Sequence, residues 1–113
     1  MLRSLITIER TVMASNKMRP IHPGEILREE FLAPLGMSAN ALAMALHVPA
    51  PRINDIVRER RAVTPDTALR LARYFDTTAQ FWLNLQSSFD LKRTESEAGG
   101  RIAEEVRPMQ RAA

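Results

Sequence analysis

The sequence predicts an all-α protein whose single small domain is built from five short helices. Its 113 residues are the length of one domain. Between Pro23 and Leu91, apolar residues recur three or four positions apart, which is the helical period, and no run alternates as a strand would. Prolines, glycines and helix-capping residues divide this segment at short intervals. Together these features predict a small helical bundle.

The first two helices have recognisable start and stop signals. Pro23 suits a first helical turn, and Pro34 is predicted to stop the helix because the residue before proline avoids the α region. Gly36 then turns the chain, and Ser38 is predicted to cap the second helix. That helix ends at His47, where the turn requires a positive φ that histidine tolerates better than most residues. The side chains predicted to face inward are Ile26, Leu27, Phe31, Leu32, Leu42, Ala45 and Leu46.

The other three helices follow the same logic. The third begins at about Ala50, and the fourth begins after a Thr64 cap with Pro65 in its first turn. The fifth opens with the sequence of residues 77–80, which has capping-box spacing. Their predicted inward residues are Ile53, Ile56 and Val57, then Ala68, Leu71, Ala72 and Phe75, then Phe81, Trp82, Leu85 and Phe89.

Two terminal segments lack this pattern. Residues 1–20 show no sustained periodicity, which predicts a disordered leader or a true start at a later methionine. Residues 92–113 contain no aromatic side chain, carry mixed charges and include a Gly99-Gly100 break, which predicts a disordered tail or a short helix. The predicted functional domain is therefore residues 21–91.

Composition excludes several classes of function. The absence of cysteine removes disulfides, cysteine zinc sites and thiol nucleophiles, and fits a reducing cytoplasm. The two histidines lack metal-ligand spacing, and no apolar run approaches the roughly 20 residues that cross a bilayer. No paired carboxylates, nucleophile–base pair or glycine-rich phosphate loop is visible. We therefore predict a cytoplasmic protein that is not an enzyme, contacts no membrane and takes no metal or cofactor.

Residues 38–61 carry the pattern of a helix-turn-helix. Two short helices joined by a turn of about three residues have this geometry. Docking of the third helix by Ile53, Ile56 and Val57 leaves its opposite face available for base edges. The alternative is an ordinary helical bundle, since buried leucine–isoleucine stripes and solvated arginines are common. The net charge of +3 permits a polyanionic partner without requiring one.

The candidate contacts divide between bases and phosphates. Arg52 can donate to guanine or to a phosphate, and Asn54 and Asp55 can meet adenine or cytosine edges. Ala50 and Pro51 can touch a thymine methyl. Residues flanking the two helices are the candidate phosphate contacts: Ser38, Asn40, Arg58, Arg60 and Arg61. The last two arginines fit a plain solvated surface equally well.

Residues 23–91 resemble the HigA (VapI-like) antitoxins of the XRE helix-turn-helix class. The likeness rests on PGEILREEFL at 23–32, RIN-I at 52–56, TALRLARYF at 67–75 and FWLNLQ---DL at 81–91. It implies a lambda-repressor-like domain of five helices that dimerises and binds a palindromic operator in its own promoter as a repressor. It also implies a partner, a HigB toxin, which is a RelE-like enzyme that cleaves mRNA.

By this resemblance, bases would be read by Ala50, Pro51, Arg52, Asn54 and Asp55, and the DNA backbone would be contacted by Ser38, Asn40 and Arg58. Two positions depart from the family pattern, because Ala39 stands where glutamine is frequent and His47 where glycine is frequent. Ala39 cannot make the backbone contact of a glutamine, so operator affinity or choice is expected to differ.

A two-fold dimer is expected to use the fifth helix, whose apolar arc is wider than a one-sided helix needs. The candidate interface residues are Trp82, Leu85 and Phe89. The alternative is that these side chains fill the monomer core, which is favoured for Leu85, whereas Trp82 fits either place. Two functions besides the antitoxin remain open: a solitary or phage-type regulator without a toxin, and an interaction protein that binds no specific DNA.

Overall fold

The computed structural model describes residues 19–110, which form five helices and contain no strand. The first helix, α1, covers residues 23–35 in three consecutive parts. The others are α2 (Ala39–Leu46), α3 (Ala50–Val57), α4 (Pro65–Phe75) and α5 (Ala79–Glu105). This confirms the predicted all-α, five-helix class. Of the predicted leader, residues 1–18 lie outside the described residues, and the domain boundaries at 21 and 91 stay predictions.

Helix α1 passes through Pro34, so the prediction that this proline stops it is wrong. The helix is π-helical over Leu27–Leu32, and the N–H of Ala33 donates to the carbonyl of Arg28 five residues back. A proline ring normally clashes with the carbonyl four residues earlier. The wider π turn shifts that carbonyl, so the helix can include Pro34. It ends one residue after the proline, at Leu35, and Gly36 follows with a φ of 60°.

The core is built around an aromatic cluster that α5 shares with α1 and α4. The ring centroids of Phe31 and Phe75 are 4.9 Å apart, those of Phe31 and Trp82 5.1 Å, and those of Phe81 and Trp82 5.0 Å. The indole Nε1 of Trp82 donates to Thr77 Oγ1 at 2.9 Å. The buried indole therefore has its aromatic contacts and its hydrogen-bond partner within one chain.

This packing corrects the predicted dimer interface. Trp82 is 0% exposed and Leu85 is 4% exposed, so neither side chain offers surface to a partner. Phe31 of α1 packs against the Trp82 ring instead. Phe89 is half-buried beside His22, with ring centroids 4.9 Å apart, and remains a candidate interface residue.

Helix α5 continues to Glu105, beyond the end that the sequence predicted. Its cap is Thr78, whose Oγ1 accepts from the N–H of Phe81 at 3.0 Å, one residue later than the capping-box spacing indicated. The predicted break at Gly99 and Gly100 is absent, and residues 92–105 are helical rather than disordered or separate. Glycine lowers helix stability by about 1 kcal/mol but, unlike proline, it removes no donor, so an established helix continues.

His22 connects α1 to α5 as a buried cap. Its Nδ1 accepts from the N–H of Gly24 at 2.9 Å, and the side chain is 4% exposed with its ring edge against Phe89. Burial lowers the pKa of His22, against smaller opposing effects of the Glu59 and Asp90 carboxylates. A protonated Nδ1 could no longer accept the hydrogen bond that caps α1.

We predict that acidification destabilises the protein through His22. Because the folded-state pKa is the lower one, the contribution to stability is complete above the unfolded pKa of about 6.5 and is lost as the pH falls below it. One titrating group can lower the free energy of unfolding by at most about 1.4 kcal/mol per pH unit. Thermal unfolding at several pH values between 5 and 7.5 measures this effect. His22→Asn, which caps without titrating, should flatten the dependence, and an unchanged slope would contradict the assignment.

Candidate nucleic-acid interface

Helices α2 and α3 form a helix-turn-helix. Ser38 caps α2 as predicted, since its Oγ accepts from the N–H of Ala41 at 3.0 Å. Helix α2 ends at Leu46, and the φ of 59° at the next residue, His47, confirms the expected left-handed turn. The N–H of Val48 then donates to the carbonyl of Ala43 at 3.0 Å, which closes the turn before α3.

Helix α3 is docked by its inner face and presents its outer face. Ile53 and Ile56 are both 0% exposed, and Val57 is half-buried. With 3.6 residues per turn, four of the predicted contact residues fall away from the docked side: Pro51, Asn54, Asp55 and Arg58. Pro51 and Arg58 are exposed and the other two are half-buried, whereas Ala50 packs against the core. This face is open within the described chain, as base reading requires.

The polar residues of this face are ordered by hydrogen bonds. The Nδ2 of Asn54 donates to Asn40 Oδ1 at 2.7 Å and to the carbonyl of Ala50 at 2.9 Å. This pair links the start of α2 to the middle of α3. Asp55 accepts from Arg61 at 3.4 Å. These hydrogen bonds therefore join five of the predicted site residues in two groups, Asn40 and Ala50 with Asn54, and Asp55 with Arg61.

Arg52 lies elsewhere, on the flank of α3 that faces α4. Its Nη1 donates to Asp66 Oδ2 at 2.8 Å, and the same oxygen accepts from Arg70 Nε at 2.9 Å. The Nη1 of Arg70 donates to the carbonyl of Leu46 at 2.9 Å. The hydrogen bonds from Arg70 and, next, from Arg52 hold the pKa of Asp66 below its usual range. Base reading by Arg52 stays a prediction, and this network competes with it.

Helix α1 fixes the other end of α3. The Nη1 of Arg28 donates to the carbonyl of Val57, and its Nη2 lies 3.5 Å from Glu59 Oε2. Gly24 lies so close to the carbonyl of Ile56 that a Cβ built there would overlap the oxygen. The absence of a side chain at Gly24 is therefore what allows α1 to reach the C-terminal end of α3.

The loop after α3 is attached to α5 by a buried glutamine. Gln86 is 8% exposed, its Oε1 accepts from the N–H of Val63 at 2.8 Å, and its Nε2 donates to Asp90 at 3.0 Å. The loop also carries the exposed Arg60 and Arg61. Gln86 thus fixes the path of a segment that the sequence predicted to lie along a phosphate backbone.

Sequence reasoning missed the residues that position α3: Arg28, Asp66, Arg70 and Gln86. The spacing of Asp66 and Arg70 by four residues on a predicted helix was a usable signal for their ion pair. No comparable signal pointed to Arg28 or Gln86, because their partners lie 29 and 23 residues away.

Over residues 19–110, no group of His, Cys, Asp and Glu could hold a metal ion. In that same part of the chain, no helix combines the length and apolar character that crossing a membrane requires.

The turn after α2 and the accessible outer face of the docked α3 define the domain as one of the helix-turn-helix class. The family model described as helix-turn-helix matches residues 27–82 of the chain. The chain is 63% identical over 82 residues to virulence-associated protein I of Dichelobacter nodosus, covering 73% of this chain and 76% of that protein. It is 36% identical over 84 residues to antitoxin HigA-1 of Vibrio cholerae, covering 74% and 79%.

The solved structures agree with these relatives. Pseudomonas aeruginosa antitoxin HigA with the higBA promoter superposes with a TM-score of 0.80 at 55% identity, covering 81% of this chain and 100% of that one. The chain therefore belongs to the HigA (VapI-like) antitoxin family of XRE helix-turn-helix proteins.

Proposed function

We propose that this protein is the antitoxin of a toxin–antitoxin pair, which represses its own promoter as a dimer and neutralises a HigB/RelE-like mRNA-cleaving toxin. The observation that carries the proposal is the accessible outer face of α3. It is supported by the similarity to an antitoxin whose structure contains its promoter DNA.

In the proposed complex, α3 enters the major groove. Pro51, Asn54 and Asp55 of its outer face contact base edges, and Ala50 does so from the first turn of the helix. The N-terminal end of α2 directs its backbone N–H groups at a phosphate beside Ser38 and Asn40, and Arg58 and Arg61 pair with phosphates beyond α3. The Asn40–Asn54 hydrogen bond at 2.7 Å holds the two helices in one register for these contacts.

A binding titration tests the DNA-binding half of the proposal. The protein should bind a duplex from its own upstream region at least about 1,000-fold more tightly than a scrambled duplex at physiological salt. Equal affinity for both duplexes would contradict specific repression. Absence of binding to either would leave only the function of an interaction protein.

The proposed dimer uses the projecting end of α5, where residues 93–97 are exposed. Leu91, Ala98 and Ile102, spaced by seven and four residues, fall on one face of this end, and Leu91 and Ile102 are exposed. A second copy would cover these apolar side chains, and the small Ala98 between them allows close approach. Phe89 would lie at the edge of this interface.

We expect sedimentation equilibrium at micromolar concentration to give the mass of a dimer. Replacing Leu91 and Ile102 by lysine should shift the protein towards monomer, because association would then have to bury charged rather than apolar side chains. A protein that remains monomeric both alone and on DNA would contradict a dimeric repressor.

The toxin half is tested by co-expression with the adjacent small reading frame. The proposal predicts a co-purifying complex and loss of the toxicity that the neighbour shows alone. If no neighbour is toxic, the DNA-binding activity is that of a solitary regulator.

A further inference from the structure

A cleft of about 330 Å³ lies beside α3 and is lined by three arginines around one carboxylate. The lining residues are Arg52, Arg61, Ala62, Thr64, Asp66, Thr67 and Arg70. Asp66 accepts from Arg52 at 2.8 Å and from Arg70 at 2.9 Å through the same oxygen, Oδ2. The cleft is positively charged overall, but the Asp66 carboxylate already accepts hydrogen bonds from two of its three guanidinium groups, those of Arg52 and Arg70.

The arginines of the cleft have the chemistry of a phosphate-binding site, but a carboxylate of the protein itself, that of Asp66, already pairs with two of them. Guanidinium groups pair with carboxylate and phosphate oxygens through the same charge-assisted hydrogen bonds. Asp66 therefore stands where a backbone phosphate of a bound duplex would otherwise attract Arg52 and Arg70. Arg61, whose side chain contacts Asp55 only at 3.4 Å, is the arginine of the cleft that is least committed to the protein.

The same network positions α3. Arg70 donates to the carbonyl of Leu46 at the end of α2, while Arg52 belongs to α3 and Asp66 to α4. One carboxylate thus connects both helices of the helix-turn-helix to α4. Arg52 is about two-thirds covered, with 32% of its side-chain surface exposed, which is consistent with a residue of the scaffold.

We propose that Asp66 is a specificity-determining residue: it retains Arg52 and Arg70 within the protein, so that Arg52 orients α3 and reads no base. This inference rests on the proposed DNA binding. Phosphate contacts supply essentially all of the affinity for non-specific DNA. By withholding two guanidinium groups from the backbone, Asp66 lowers the affinity for any duplex, whereas the orientation of α3 that it provides through Arg52 raises the affinity for the operator alone. The ratio of operator to non-specific affinity therefore widens.

The test is a salt titration of Asp66→Asn on the operator duplex and on a scrambled duplex. Release of one arginine to a phosphate should make the slope of log K against log salt steeper by about 0.9 on both duplexes. The affinity for the scrambled duplex should rise about tenfold at low salt, and the ratio of operator to scrambled affinity should fall. Asp66→Glu, which keeps the carboxylate, should restore a wild-type slope.

Asp76→Asn is the matched control. It removes the same charge at the other end of α4, and asparagine tolerates the φ of 57° at this position. Its salt slope should equal that of the wild type. Adding Arg52→Ala to Asp66→Asn should cancel most of the gain on the scrambled duplex.

An unchanged or shallower slope for Asp66→Asn would overturn the inference while leaving operator binding by the wild type intact. So would an Arg52→Ala variant whose loss of discrimination is confined to one base-pair position of the operator, because that pattern identifies a base contact, whereas a misoriented α3 loses discrimination at every position. A wild-type protein that binds neither duplex would contradict the proposed function, and this inference with it.

Discussion

Gly24→Ala is expected to lower the free energy of unfolding by about 3 kcal/mol or more, because its new Cβ has no space. That atom would overlap the carbonyl oxygen of Ile56 and lie 3.0 Å from Nδ1 of His22. The obstacle on the α3 side is backbone, which cannot rotate away, so α1 must move off the end of α3. Chemical denaturation measures the loss, and operator affinity should fall with it because α3 loses its support.

Gly100→Ala provides the control for this prediction. It makes the same chemical change within α5, where a Cβ would meet nothing within 4 Å. Alanine should stabilise the helix there by roughly 0.5–1 kcal/mol. If both variants shift stability in the same direction, the close approach of α1 to α3 is not the cause.

Pro51→Glu is expected to reduce operator affinity about 100-fold or more without loss of stability. The substitution places a carboxylate on the outer face of α3, where it would face a duplex carrying one negative charge per 1.7 Å or so. Position 51 is exposed and lies in the first turn of α3, where an acidic side chain is favourable to the helix dipole. The dissociation constant for the operator duplex, with the thermal unfolding midpoint alongside, measures both effects.

Gln80→Glu is the matched variant on another helix. It adds the same charge at the second residue of α5, which is exposed like Pro51 but lies far along the chain from the helix-turn-helix. Operator affinity should change less than about threefold, since a distant charge is screened by salt. Equal losses for the two variants would show that net charge, rather than the face of α3, governs binding.

Much of the fold was predictable because its signals are local. Ser38 and Thr64 cap the helices that follow them, and each acts on an N–H three residues further along. The buried isoleucines of α3 repeat at the helical period, so the sequence also predicted which face of α3 is exposed. These features depend on neighbours in the chain and need no knowledge of the tertiary structure.

The predictions that failed concern features that depend on how the helices pack against one another. Pro34 was expected to end α1, but a π turn accommodates it. Trp82 was a candidate for a dimer interface, but Phe31, which is distant in sequence, packs against its ring at 5.1 Å. Similarly, Arg52 was predicted to contact DNA, but in the structure it pairs with Asp66 from the next helix. In each case the residue type allowed two outcomes, and packing selected one.

The sequence by itself determined that there are five helices, the caps Ser38 and Thr64, and the outward face of α3, because these follow from residue spacing and from hydrogen bonds within a few residues. Only the tertiary structure decided which polar groups of that region remain available to a ligand and which are held by the protein. The physical reason is that hydrogen-bond partners such as Arg28 with Val57 and Gln86 with Val63 are brought within reach only when the helices pack.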